Sequence, residues 1–166
     1  ELLLVLGNAV EDIPVHCVDI RTGKAVRFSY TTLAEQQGTC TLAADVQEYL
    51  YEPGAAIQKA GCHNSLSARY GLSKLHPNSQ LYTSHGFVGE FPGRVFRVVD
   101  VVGFSKSELK GVQALQKANI TVRNFPEGVQ QLRKRLKLAD GGEDYIFATT
   151  LASGRKVLVV CRKTTD

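Results

Sequence analysis

Arg133, Lys134, Arg135 and Lys137 put four cations into five consecutive positions, and Arg123, Asn124 and Phe125 stand a short way upstream. Side chains of these types hold anions by charge and forked hydrogen bonds, and an exposed aromatic among them offers a stacking plane. The stretch Asn119 to Pro126 reads as a short β-branched strand that ends in Arg, Asn and Phe ahead of a Pro-started helix. Free N–H groups at a helix start favour phosphate oxygens, and Arg123 beside them adds a cation. These seven residues, Arg123, Asn124, Phe125, Arg133, Lys134, Arg135 and Lys137, are the candidate contacts for a nucleic acid. The same helix composition also suits an ordinary solvated face with cations near a C-terminus. Charge along the rest of the chain decides between these readings.

Other chemistry has less support. His63, His76 and His85 with Asp45 and Glu52 could form an acid–base or metal set, but their spacing matches no H-E-x-x-H or related pattern. Cys17, Cys40, Cys62 and Cys161 form no C-x-x-C and read as reduced core thiols. His16-Cys17 and Cys62-His63 are adjacent pairs, and neighbours on a strand point to opposite faces, so neither is a natural chelate. Tyr49, Tyr51, Tyr70, Tyr82 and Phe87 could stack on bases, although strand aromatics belong first of all to a core. No G-x-G-x-x-G, Walker loop or G-x-S-x-G occurs. No catalytic or metal-binding residue is assigned.

The elements that position these residues divide by charge. Residues 1–92 carry six Lys or Arg against nine Asp or Glu, a net of −3. Residues 93–166 carry fourteen against seven, a net of +7, and the whole chain is +4. Such asymmetry predicts two modules, 1–92 and 93–166, the second facing an anion. At 166 residues, 43% apolar and 22% charged, the chain excludes disordered and fibrous classes. No apolar run approaches the roughly 20 residues of a membrane span. With Glu1 unlike a signal-peptide start, a cytoplasmic protein without a membrane partner is expected. The Glu start and the absence of Met suggest a segment of a longer protein, or Met residues left out of the sequence.

The first module opens with expected strands at 2–6, 13–20 and 25–30, the last two joined by a hairpin turn over Arg21-Thr22-Gly23-Lys24. Thr31 or Thr32 caps a helical turn to Gln37, with Glu35 in capping-box position. A strand at 48–52 precedes a helix at 55–60 ended by Gly61, a helix at 65–70 ended by Gly71, and a strand at 81–83. Gly86 to Gly93 reads as a linker. The second module reads as a strand at 94–102, a helix opened by Ser105 with Glu108, and a strand at 118–123. A helix from Pro126 with Val129, Leu132 and Leu136 on its apolar face follows, then a hairpin of 145–151 and 156–160. The order β-α-β-α-β-β predicts an α+β layer with helices on one sheet face.

Several of these stretches resemble known domains. Asn119 to Pro126, Leu132-Arg133-Lys134-Arg135-Leu136, and Gly141-Gly142 followed by Tyr145 to Thr150 resemble the THUMP-like domain. That domain closes a group of bacterial proteins described as class I S-adenosylmethionine-dependent methyltransferases. Glu48 to Pro53, Ala55-Ala56-Ile57 and Lys59-Ala60-Gly61 resemble the small ferredoxin-like domain that precedes it. The resemblance implies a methyltransferase domain N-terminal to these modules, with S-adenosylmethionine bound there and no cofactor held by this chain. It implies a region that presents substrate, RNA above all, to the parent methyltransferase domain in cis. The alternative is a protein-interaction or structural module that stabilises the parent enzyme or its dimer without touching nucleic acid.

Overall fold

The computed structural model describes residues 12, 14–21 and 24–164. The strand expected at 2–6 and the Thr22-Gly23 turn lie outside the described residues. Pro14–Arg21 (β1) and Lys24–Thr31 (β2) pair antiparallel as a separate two-stranded sheet. Alternation buries Cys17 and Phe28 on its inner face and leaves Val18 and Ile20 outward. Thr31 caps Thr32–Gln37 (α1) by accepting from the Ala34 N–H at 3.2 Å. Tyr49–Pro53 (β3) and Ala55–Ala60 (α2) follow, then His63–Tyr70 (α3).

Lone hairpins are marginally stable, and this one is fastened through carboxylates at helix starts. Asp19 on β1 accepts from the Ala56 N–H of α2 at 3.2 Å. A Cβ at Gly54 would overlap that carboxylate, so only glycine admits it. Glu35 does not complete a capping box on α1. Its two oxygens instead accept from the Asn64 and Ser65 N–H groups of α3, at 2.9 and 2.8 Å. Those groups lack intrahelical acceptors, so one carboxylate from a neighbouring element satisfies both.

After Ser73–Lys74 (β4) and Tyr82–Ser84 (β5), the chain enters Gly93–Gly103 (β6), Leu109–Gln113 (α4), Asn119–Arg123 (β7) and Val129–Leu136 (α5). Asp144–Thr150 (β8) and Lys156–Lys163 (β9) complete it. Seven strands form one sheet in the order β4-β5-β3-β6-β9-β8-β7. β7 and β8 run parallel and the other neighbours antiparallel, so the fold is α+β with a mixed sheet. The expected β-α-β-α-β-β order of the second module is observed. Gly86 to Gly93 does not separate two bodies, because β6 begins at Gly93 and pairs at once with β3.

Three apolar clusters sit on this sheet. Under α4 and α5 lie Val102, Ile120, Leu132, Leu136, Ile146, Leu158 and Val160. On the same face, at the β3–β5 end, Tyr51, Tyr82, Ile57 and Leu66 pack with Cys17 and Phe28 of the hairpin. The opposite face holds Leu50, Phe96, Phe147, Val157 and Val159, covered by Ala43, Leu75 and Leu81. A bulge between Val98 and Asp100 bends β6, which lets that second face curl on itself. Among the described residues no helix is long and apolar enough to cross a membrane.

Candidate nucleic-acid interface

α5 begins at Val129, not at Pro126. Gly128 is its N-cap in extended backbone, and the Gln131 Oε1 accepts from the Gly128 N–H at 2.9 Å. Asn124, at φ 53, turns the chain just ahead of Pro126, so the segment 124–127 is spent on that turn. With Leu132 and Leu136 fully buried against the sheet, Arg133, Lys134 and Arg135 project around the remaining surface.

These cations do not all stay available. The Arg133 Nη2 donates to Asp140 Oδ1 at 2.6 Å, and its Nη1 to the Ala118 carbonyl at 3.4 Å. The Arg135 Nη1 donates to Glu127 Oε1 at 2.5 Å, and its guanidinium lies 4.3 Å from the centre of the Phe104 ring. Phe125 meets the same Phe104 edge-on at 4.9 Å and packs against the α4–α5 core. It is therefore part of that core rather than an open stacking plane. Asn124 contributes its carbonyl, which accepts from Thr150 Oγ1 at 2.7 Å.

Arg123 departs furthest from expectation. Ile120 and Val122 pack towards α5, so alternation sends Arg123 to the other face of the sheet. There its Nη2 donates to Glu52 Oε1 at 2.8 Å. Arg94, the cross-strand partner of Glu52, donates through Nε to Oε2 at 2.8 Å and through Nη2 to the same oxygen. β3 and β7 are separated in the sheet by β6, β9 and β8, so this contact spans the curled face. Glu52, buried, thereby joins the acidic module to two arginines of the basic one. The Arg123 Nε and the Thr149 Oγ1 on the adjoining β8 position are buried beside it without a protein partner.

Of the seven candidates, the structure gathers Arg133, Lys134 and Lys137 around one shallow groove of ≈ 560 Å³, with Gln130, Leu138 and Ala139. Lys137 is the C-cap of α5, at φ 56. Lys134 and Lys137 are exposed and have no carboxylate within 4.0 Å among the described residues. In the Arg133–Asp140 pair the carboxylate is 80% exposed, but the Arg133 side chain is only 19% exposed, so this cation lines the groove without standing free in it.

The imidazoles do not converge. The His63 Nδ1 lies 2.9 Å from the Tyr82 hydroxyl, and the His76 Nδ1 accepts from the Asn78 N–H. Glu52 is taken by arginines, and Asp45 by Arg155. Among the described residues no three His, Cys, Asp or Glu side chains stand where they could hold a metal. Burial, and next Lys74, holds the His63 imidazole below its ordinary range, and burial likewise lowers the buried Lys74 ammonium. Tyr51 and Tyr82 are core residues, whereas Phe87 is 49% exposed. Sequence reasoning weighed Glu52 only as a member of that unsupported histidine set and missed its ion pairs. Its one signal was a carboxylate inside an otherwise apolar and aromatic strand, which must find cations when buried.

Comparison with known families agrees with an α+β chain of two successive modules. Residues 49–92 match the family described as a ferredoxin-like domain, and residues 93–163 match the family described as THUMP domain-like. The chain thus carries a ferredoxin-like domain followed directly by a THUMP-like domain. Among solved structures it is similar to a protein from Porphyromonas gingivalis W83 described as a "putative methyltransferase", with 39% identity and a TM-score of 0.86. The likeness covers 92% of this chain and 38% of that one, so the chain spans well under half of that relative's length. A comparison with curated proteins found no match.

Proposed function

We propose that this chain is the substrate-gripping region of an S-adenosylmethionine-dependent methyltransferase and that the substrate it holds is RNA. The carrying observation is the groove beside α5, where Lys134 and Lys137 face solvent without a carboxylate partner among the described residues and Arg133, held by Asp140 and the Ala118 carbonyl, lines the same wall. Cations that line one groove can contact a phosphate backbone, and such contacts position RNA without reading its sequence. The THUMP-like match and the likeness to part of a methyltransferase-designated protein support the same reading. Arg123 and Arg135 take no part in the grip, being engaged by Glu52 and Glu127. In this reading S-adenosylmethionine would be held by the catalytic domain of the parent methyltransferase, and this chain would supply substrate contacts alone.

The test is binding of labelled RNA to the 166-residue chain across a salt series. Neutralising about three phosphates on a single strand gives a slope of log K against log salt near −2. Lys134→Glu with Lys137→Glu should flatten that slope and weaken binding on all RNA sequences alike. A salt-independent affinity, or one that this double variant leaves alone, refutes the proposal.

One observation favours a second reading. Val18 and Ile20, 40% and 77% exposed, form an apolar outer face on the β1–β2 hairpin. That face suits packing against the parent methyltransferase or a second copy of this chain. Any concentration-dependent mass seen by light scattering should then vanish in Ile20→Lys, with RNA affinity unchanged.

A further inference from the structure

Ser84, Tyr49, Arg97, Arg162 and Asp144 are successive Cα partners across β5, β3, β6, β9 and β8. Strand alternation puts all five on one face. Tyr49 shares it with Tyr51, Arg97 with Val95, and Arg162 with Val160 and Leu158. That is the helix-bearing face, and the row crosses it between the cluster under α4 and α5 and the cluster at the hairpin end. Phe87, 49% exposed, leans over the aromatic end of the row, its ring 5.6 Å from that of Tyr49 and tilted by 59°. Arg162 is 65% exposed and donates to Asp144 Oδ1 at 3.1 Å. Arg97 is exposed and has no carboxylate within 4.0 Å among the described residues.

Two arginines directly opposite each other on neighbouring strands repel, and among the described residues only Arg162 is offset by a carboxylate. The surplus charge sits next to an open aromatic pair. An anionic group with a planar apolar neighbour fits that combination, which is the make-up of one nucleotide unit of an unpaired strand. We infer that this row is a docking platform for single-stranded RNA, with a base on Phe87 and Tyr49 and the adjoining phosphate between Arg97 and Arg162. This inference rests on the RNA-binding reading above and narrows its substrate to unpaired segments. A duplex keeps its base faces stacked on each other and offers nothing to Phe87.

The experiment uses the 166-residue chain and a fluorescein-labelled 12-nucleotide RNA, free and as a duplex, read by anisotropy. Tighter binding of the single strand is expected. Phe87→Ala should weaken it about tenfold, a usual loss for one stacked base, and Phe87→Trp should restore it. Because the chain has no Trp, that variant also reports directly: its emission should be quenched by the RNA. Arg97→Glu should weaken binding by a similar factor. Since Phe87 and Arg97 are exposed, unchanged melting temperatures will show that the fold is retained. Parent-like binding by Phe87→Ala and Arg97→Glu overturns this platform, while weak binding by Lys134→Glu in the same series keeps the groove. Equal affinity for duplex and single strand likewise removes the platform. If the parent chain binds neither RNA, the platform and the groove fall together.

Discussion

Replacing Glu52 by Ala should cost more stability than any other single change at a polar residue in the sheet. The Glu52 side chain is 4% exposed and is the common acceptor for Arg94 and Arg123, whose side chains are 34% and 37% exposed. Removing one member of a fully buried ion pair costs roughly 3–5 kcal/mol, because the charge left behind has no solvation. Here the two arginines can turn partly to water, so the lower end, about 3 kcal/mol, is expected. For a domain of this size each kcal/mol lowers Tm by about 2–4 °C, which gives a fall of about 6–12 °C. The assay is thermal unfolding followed by circular dichroism, extended to a double-mutant cycle with Arg123→Ala. Contact between the two side chains predicts a coupling energy of about 1–3 kcal/mol. A Glu52→Ala protein that melts within about 2 °C of the parent, or strictly additive single changes, would refute the claim that this carboxylate ties the two modules together.

Three further outcomes follow from the same structure. Because burial holds folded His63 below the usual 6.5, the unfolded chain takes up that proton first as pH falls. Its penalty is therefore absent above pH 6.5 and grows below it. His63→Gln should flatten the decline of Tm between about pH 7 and 5.5, and an unchanged slope would show that another group controls it. Cys62, pushed up to about 12 by burial, and the buried Cys17 and Cys161, also raised, should resist iodoacetamide in the native protein near pH 8. Half-buried Cys40 should label first, and mass spectrometry of the labelled peptides reads the order. Leu132→Ala, at a fully buried position under α5, should cost about 3 kcal/mol in urea unfolding. A loss below about 1 kcal/mol would mean that α5 is not anchored through this residue.

What local chemistry controls was legible from the sequence. Gly61 and Gly71 end α2 and α3 at φ 70 and 62, a conformation other residues adopt at a cost, so those stops can be read from type alone. The spacing of Leu132 and Leu136 fixed the buried face of α5, and the β-branched runs fixed the strands of the second module. The start of α5 was misplaced because Pro126 suits the turn set by Asn124 as well as a first helical residue, and only the path of the chain selects between them. Side-chain partners depend on which elements meet, and here the sequence was weakest. Glu35 has a local role on α1 but is drawn to α3, whose two N–H groups stand within reach once those helices pack.

Charge shows the division most clearly. The count of cations in residues 93–166 is a property of the sequence and predicts an anionic partner for that half. Which of those cations remain free is decided by the tertiary structure alone. Arg123 is one residue beyond Val122, whose side chain packs inward under α5, so strand alternation turns Arg123 to the far face and to Glu52, 71 residues away in the chain. Lys134 and Lys137 keep their charge open because, among the described residues, no carboxylate folds to within 4.0 Å of them. The row from Tyr49 to Arg162 joins strands far apart in sequence. It comes into being only when β3, β6 and β9 pair in register, because hydrogen-bonded pairing, not nearness along the chain, sets which side chains lie side by side.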